Sequence, residues 1–487
     1  MLEAILRIEK AGHGSLQAKL REKISEAIAH GLLEEGEKLP STRSLARYLG
    51  ISRNTVTLVY HDLMNDGYLV SKDRSGYIVA AINRAAGQLK KEGDRLSTVN
   101  WEEQFAIRAE DVEPARGRPD WRSRKYKFVY GQHDRWLFPI SNWRKCSRES
   151  LSLHDMQDWT VDYVDGDDPL LLDAFRKRVL PRRGFVADSS EILVTVGAQN
   201  ALFLVAQVLI KPGIVVAVED PCYPDARAIF NLFGAVLRPI PVDEEGIIVD
   251  DRLVGCDLVY VTPALQSPTT VEMSGRRRKA LLEAAHRHDF LIVEDDYDTE
   301  SRFSDEPNMA LKSQDQDGRV IYTTSLSKLL SPGLRVGFLL GPKPFIDMAR
   351  MLRRLNIRHP AANNQRTVAL FLKGGYYEAL LKQFHKEYKL RRATLIAAVR
   401  KHVAEAVISK SAGGSSIWMR LPSKIDTPKL AERCFQQDVF IEPGVHHFIG
   451  EPKPRSYVRL GFSSIQVRDI EPGIVILARE IYAMLND

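Results

Sequence analysis

Apolar residues in the first part of the chain recur with the spacing of helices packed on one side. From Ser15 to Leu33, the residues Leu16, Leu20, Ile24, Ile28 and Leu32 fall on one face with charges between them, and Gly31 and Gly36 flank the end, which predicts an amphipathic helix. After Leu39-Pro40-Ser41-Thr42-Arg43, the residues Leu45, Ala46 and Leu49 predict a short helix closed by Gly50. Ser52 opens a third, whose buried side is Val56, Val59, Tyr60 and Leu63. Gly67 to Val79 reads as two short strands around a polar tip at Lys72-Asp73-Arg74-Ser75. From Ala81 to about Arg122 the periodicity lapses: Lys90-Lys91-Glu92-Gly93-Asp94-Arg95 is charged, and Pro114 to Pro119 mixes prolines, glycine and basic residues. Beyond it, short apolar strands alternate with longer helical patterns, the grammar of an α/β domain with a largely parallel sheet. The pattern predicts a helical reader at 1–80, a connector at 81–122 and a large α/β domain at 123–487.

Composition adds little to this division until charge is placed on it. A chain of 487 residues exceeds what one hydrophobic core usually supports, and 44% hydrophobic content is that of a folded globular protein. With 69 basic against 63 acidic residues, the net charge of +6 alone does not argue for nucleic acid. Its distribution does: between Leu39 and His61 there are Arg43, Arg47 and Arg53 and no acidic residue. Cys146, Cys222, Cys256 and Cys434 stand far apart without a paired spacing, which argues against a disulfide framework and a zinc site and fits a reducing compartment. The amino terminus lacks a secretion pattern and no apolar run is long enough to span a bilayer, so a cytoplasmic protein is expected.

Helix, glycine-containing turn, helix, then a basic-tipped hairpin is the order of a winged helix-turn-helix. Leu39-Pro40-Ser41-x-Arg43-x-Leu45-Ala46 and Ser52-Arg53-x-Thr55-Val56 resemble the GntR-type reader over almost the whole first domain. The resemblance implies that Arg43 and Arg53 reach base edges in the major groove. It places Ser41, Ser52 and Thr55 on phosphates, with Lys72, Arg74, Ser75 and Gly76 in a wing entering the minor groove.

The candidate chemistry of the large domain centres on Ile321 to Phe338, where Lys328 follows an apolar strand and the hydroxyls of Ser325 and Ser327 and precedes Arg335. A lysine so placed suits covalent attachment to a phosphorylated aldehyde cofactor. Glu191 to Leu202 reads as strand, Gly197 and helix, so the amides at Ala198 and Gln199 face an anion at a helix start. Val215 to Pro224 ends a strand at Tyr223, placed to stack on a flat ring. Leu291 to Asp298 runs a buried strand into four acids and Tyr297. An aspartate paired to a protonated ring nitrogen answers that pattern, and a magnesium site is the competing reading. Together these elements resemble the fold type I aminotransferases that use pyridoxal 5′-phosphate. The resemblance makes Lys328 the cofactor-linked and catalytic lysine, Asp295 the ring-nitrogen partner, Tyr297 the ring-oxygen contact and Tyr223 the stacking ring. It gives the phosphate to Ala198, Gln199, Ser325, Ser327 and Arg335, with Tyr163 reaching a partner subunit, and a ligand carboxylate to Arg459 within Tyr457 to Phe462. The chain departs from the family's Asn-Pro-Thr-Gly at Ser267-Pro268-Thr269-Thr270, and Asp168 stands where glycine is common.

A GntR-type reader ahead of such a domain resembles the MocR/GabR-type regulators. The resemblance implies a homodimeric, pyridoxal-phosphate-dependent transcription factor, paired head to tail. In such a factor an amino compound displaces Lys328 from the cofactor and changes DNA binding. Candidate effectors are 4-aminobutyrate, taurine, an ectoine-derived diaminobutyrate and the cofactor itself. A working aminotransferase carrying a DNA reader is the alternative reading.

Overall fold

A computed structural model of the chain describes Leu6 and residues 15–72, 76–81, 99–107, 119–162, 165–302, 309–411 and 413–486. They fall into two compact units, Met1–Phe105 and Ala106–Asp487. In the first, helices α1 (Leu16–Ala29), α2 (Thr42–Leu49) and α3 (Arg53–Asn65) precede an antiparallel hairpin of β1 (Leu69–Lys72) and β2 (Gly76–Val79). Each helix starts at a serine: Ser15, Ser41 and Ser52 accept the backbone N–H of Ala18, Ser44 and Thr55, each at 3.1 Å, filling donors that a helix start leaves open. Leu20, Ile24, Ile28, Leu45, Leu49, Val56, Val59 and Leu63 pack beneath the hairpin's Leu69 and Val79. Tyr60 closes this core with its hydroxyl donating to the Pro40 carbonyl at 2.9 Å. The first helix ends earlier than its spacing predicts. Gly31 adopts a φ of 73° past the end of α1, so Leu33 enters the core and Leu32 is 58% exposed.

The strands of the second unit are β3 (Tyr126–Lys127), β4 (Ile192–Thr195), β5 (Val215–Asp220), β6 (Val236–Asp243), β7 (Gly246–Ile247), β8 (Leu258–Val261) and β9 (Leu291–Asp296). They continue as β10 (Val320–Ser325), β11 (Gly337–Leu340), β12 (Val407–Ile408), β13 (Ser416–Arg420), β14 (Val439–Phe440), β15 (Glu442–Pro443) and β16 (Tyr457–Gly461). Eight of them form one sheet in the order β4-β11-β10-β9-β8-β5-β6-β7. From β6 through β10 neighbours run parallel, whereas β11 runs against both β10 and β4. Alternation along the strands divides the side chains between two cores. Val218, Tyr260 and Val293 pack on the face covered by helix Gly197–Leu209, and Ala217, Val259 and Ile292 on the face covered by helix Gly275–His288. A smaller antiparallel sheet, β12-β13-β16-β15, carries Arg459 on β16. Packing of the large unit begins ahead of residue 123, since Trp121 already lies against Val129, Phe435 and Phe440.

Buried arginines fasten the helices around the large sheet. Arg353, fully buried, pairs with Asp167 at 2.5 Å, and Arg391 with Asp134 at 2.5 Å. Asp168, the departure from glycine, caps helix Pro169–Arg178 through the N–H groups of Leu170 and Leu171 and pairs with Arg366 at 2.7 Å. Arg366 also holds Asp155 and Asp158, so one guanidinium ties three carboxylates. Asp168→Ala removes a helix cap and one of the three carboxylates on Arg366, leaving Asp155 and Asp158 as its counter-ions, and is expected to destabilise the large unit by about 2–4 kcal/mol. Urea unfolding checks this; an unchanged midpoint for the large-unit transition would refute it.

Candidate functional site

The antiparallel strand β11 decides where the anion cradle forms. Gly337 pairs with Ser325 on one side and Thr195 on the other, which sets the ends of β10 and β4 beside each other. A β-carbon on Gly337 would come 2.7 Å from the Gly197 carbonyl carbon, so only glycine permits this approach. Helix Gly197–Leu209 starts here with no side-chain cap bond, leaving its first amides, at Gly197, Ala198 and Gln199, for a ligand. Arg335 donates to the Val196 carbonyl at 2.8 Å, and its guanidinium lies where a Gly197 β-carbon would meet it at 2.9 Å. Arg335 holds a left-handed φ of 52°, a strained position for a non-glycine residue. Ser325 donates to the Val336 carbonyl and accepts the Ser327 N–H, while the buried Ser327 hydroxyl has no partner among the described residues. An uncapped helix start, a guanidinium and an orphaned buried hydroxyl fit a phosphate.

Lys328 follows directly. Its amine lies 3.9 Å from the centre of the Tyr130 ring, and a β-carbon on Gly131 would crowd it at 2.9 Å. Burial pushes this amine down to about 8; Arg459 adds to the effect, and Asp298, Glu442 and Asp295 oppose it. No local motif marks Tyr130, Gly131, Glu442 or the part played by Asp298. Tyr130-Gly131 follows the apolar pair Phe128-Val129, a weak signal of a strand end, whereas Glu442 lies too far along the chain for spacing to connect it.

The acids that end β9 point to separate partners. Asp295 accepts the Tyr260 hydroxyl at 2.8 Å and the Thr323 hydroxyl at 3.1 Å. Burial pushes its carboxyl up to about 6 against those two bonds, so a cation beside it would restore the charged form. Glu294 accepts the amides of Leu311 and Lys312, Asp296 pairs with Arg183, and Asp298 accepts the hydroxyls of Ser301 and Ser415. These bonds spread the acids over both sheet faces and the strand end. Tyr223 donates to Asp225 at 3.0 Å, and Gln199 reaches the same carboxylate at 3.3 Å, which ties the ring-stacking candidate to the cradle. Tyr297 is half-buried, its phenol held above the ordinary range by burial and by Asp298, while Ser267 and Arg459 act the other way. The departure at Ser267 therefore leaves a hydroxyl beside the Tyr297 phenol where the family has an amide. Thr270, replacing glycine, holds a left-handed φ of 60° and donates its N–H to the Gln266 carbonyl at 2.7 Å. Tyr163 lies outside the described residues.

On the first unit, Ser41, Arg43, Ser52 and Arg53 are exposed and Thr55 half-exposed at the starts of α2 and α3. Neither arginine pairs with a carboxylate among the described residues. The Ser52 and Thr55 hydroxyls bond each other at 2.9 Å, so both are oriented by the cap. Asn54 and Thr57, exposed on the same turns of α3, were not singled out by the motif. Lys72 ends β1 and Gly76 opens β2, their backbones paired in the hairpin. Arg74 and Ser75 lie outside the described residues.

The residues present fit pyridoxal phosphate: a cradle for its phosphate, an enclosed lysine, a buried carboxyl for its ring nitrogen and a tyrosine for its face. An ordinary lysine stays protonated to about 10.5, whereas Lys328 releases its proton near 8. Because the folded value is the lower one, the penalty for burying the charged amine is full below about pH 8 and is relieved as pH rises from there. Cofactor loading into the cofactor-free chain is expected to accelerate up to about pH 8 and then level off. Rapid-mixing absorbance measures this, and a rate still climbing toward pH 10 would refute it.

Comparison with known proteins agrees with both halves. Residues 16–79 match the model of the bacterial regulatory proteins, gntR family, and residues 133–471 that of aminotransferase class I and II. The chain is 41% identical over 473 residues to the HTH-type transcriptional regulator TauR of Rhodobacter capsulatus, covering 96% of this chain and 97% of that one. It is 29% identical over 482 residues to the probable rhizopine catabolism regulatory protein MocR of Rhizobium meliloti, covering 99% and 96%. Among solved structures, Pyrococcus horikoshii kynurenine aminotransferase superposes with a TM-score of 0.72 at 28% identity, covering 79% of this chain and 98% of that one. LysN, the alpha-aminoadipate aminotransferase of Thermus thermophilus, complexed with a phosphopyridoxyl-leucine compound, gives 0.72 at 25%, covering 80% and 100%. With both units matched within single relatives over nearly their whole length, the chain belongs to the MocR-type transcriptional regulators, joining a gntR-family DNA-binding unit to an aminotransferase-like unit that takes pyridoxal 5′-phosphate.

Proposed function

We propose that this regulator senses a small amine bearing an acid group, through exchange of that amine with Lys328 and capture of the acid by Arg459. One observation carries the reading: the Lys328 amine and the Arg459 guanidinium lie 3.9 and 4.0 Å from the centre of the same Tyr130 ring. An amine-exchange point and an anion receptor on one ring suit a ligand with both groups on a short skeleton. When bound, pyridoxal phosphate supplies an aldehyde carbon to which a lysine or a ligand amine can be joined. Ser325, Ser327, Arg335 and the amides of Ala198 and Gln199 would hold its phosphate, Tyr163 adding to them from a partner subunit. Asp295 would hold its ring nitrogen, Tyr297 its ring oxygen and Tyr223 its face. Lys328, with a proton released near 8, is able to give up its place and take a proton as it leaves. A head-to-tail homodimer in the cytoplasm would present two readers to paired half-sites. On each, Arg43 and Arg53 would read bases, with Ser41, Ser52 and Thr55 on phosphates and the wing residues Lys72, Arg74, Ser75 and Gly76 entering the minor groove.

Lys328→Ala is expected to abolish the cofactor's linked-lysine absorbance and the response of DNA binding to effector, while leaving the reader folded. Visible spectra and gel-shift titrations check it, and an unchanged spectrum would overturn the assignment. Arg53→Ala is expected to weaken operator binding by about 1–3 kcal/mol and to relax sequence selectivity. Fluorescence anisotropy against operator and scrambled duplexes measures both, and equal operator affinity in wild type and variant would refute the base contact.

A further inference from the structure

Arg459, the residue read above as the acid receptor, already has an anion. Glu442 stands directly across from it in the antiparallel pair of β15 and β16, and Arg459 Nε donates to Glu442 Oε2 at 2.8 Å. The other oxygen of that carboxylate accepts the Tyr130 N–H at 3.0 Å, so Glu442 is fixed to the residue whose ring carries both cations. The pair is enclosed, with side chains 13% and 21% exposed, and is therefore not screened as a surface pair is. No described residue accepts from Nη1 or Nη2 of Arg459, so the end of the fork is without an acceptor. An acid group arriving there meets a guanidinium whose charge is already answered on its other edge. A second carboxylate brought to the same enclosed arginine is repelled by the first, so the guanidinium holds it less tightly than it would alone.

We propose that Glu442 is a specificity-determining residue of the effector site, a built-in anion that competes with the effector's acid group for Arg459. The inference rests on the reading of Arg459 as the acid receptor. Its consequence is a threshold. A plain amine exchanges with Lys328 without disturbing the Glu442–Arg459 pair and gains nothing from it. An acid-bearing amine reaches the open edge of the guanidinium only against the repulsion of Glu442, so affinity for such ligands is held down while an unliganded Arg459 never stands buried without a counter-ion. The cross-strand position also lets the pair steady the small sheet, and the two roles make different predictions.

The test uses the full-length, cofactor-loaded protein and two probes of equal chain length, 4-aminobutyrate and n-butylamine, titrated by visible absorbance. In Glu442→Gln the competing charge is gone, and the preference for 4-aminobutyrate over n-butylamine is expected to rise by about tenfold or more, the usual effect of one nearby charge in an enclosed site. A preference that is unchanged or lower overturns the proposal. Glu442→Asp keeps the charge, so its preference should stay close to wild type; a rise equal to that of the glutamine variant would assign the effect to packing and overturn the proposal. Arg459→Ala separates this failure from that of the underlying reading: if the alanine variant retains the wild-type preference, Arg459 is not the acid receptor. If it loses the preference while the glutamine variant leaves it unmoved, only the role of Glu442 fails. A second readout needs no cofactor. Butyrate, which has the acid and no amine, should raise the unfolding temperature of the cofactor-free Glu442→Gln protein more than that of wild type, and equal shifts would count against the competition.

Discussion

The reversal of one strand sets the geometry of the large unit's chemistry. Because β11 runs against both β10 and β4, the turn that enters it, at Arg335 and Val336, arrives where β10 ends and helix Gly197–Leu209 begins. Gly337 has no room for a side chain there, and Arg335 takes a left-handed backbone so that its guanidinium lies over the helix start. A helix start alone attracts anions weakly and without selectivity. Adding a fixed guanidinium and the Ser327 hydroxyl makes a directional site, and the same strand end then delivers Lys328. The position of the amine relative to a phosphate is thus fixed by sheet topology rather than by a flexible loop.

Enclosure then supplies the reactivity. Lys328 sits among Asp298, Arg459, Glu442 and Asp295, two cations and three anions counting itself, and burial still dominates its proton affinity. Were the three acids free to pair with it, the amine would stay charged and inert. They are occupied instead: Asp298 by Ser301 and Ser415, Asp295 by Tyr260 and Thr323, Glu442 by Arg459 and the Tyr130 amide. Competing hydrogen bonds keep the acids from serving as the lysine's dedicated counter-ion, and the amine is left able to lose its proton near pH 8.

Much of this was legible in the sequence because local patterns encode it. The serine caps, the apolar faces of α2 and α3, and the strand-to-lysine stretch all depend on neighbours a few residues apart. What escaped depends on distant partners. Asp168 looked like a loss where glycine is common, yet it caps one helix and pairs with Arg366 on another, nearly two hundred residues away. Glu442 reads as an unremarkable acid before Pro443, and only the pairing of β15 with β16 places it on Arg459. Leu32 and Leu33 show the same limit at short range, since a single left-handed glycine exchanged which of them entered the core.

Tight binding at this site would not by itself make a switch. To carry a two-state regulator from about one part in a hundred active to the reverse, an effector must favour one state by about 5.5 kcal/mol. A ligand that bound Arg459 and displaced Lys328 equally well in both states would change the spectrum of the cofactor and nothing on DNA. The differential must come from a contact that exists in only one state. The Glu442 pair is suited to that requirement, because the carboxylate that an arriving acid repels at Arg459 is also bonded, through its other oxygen, to the Tyr130 amide. Tyr130 follows β3, which pairs with β14 near the start of the large unit's packed chain. Binding energy spent at Arg459 therefore has a backbone to act on, and ligands that leave Glu442 in place do not.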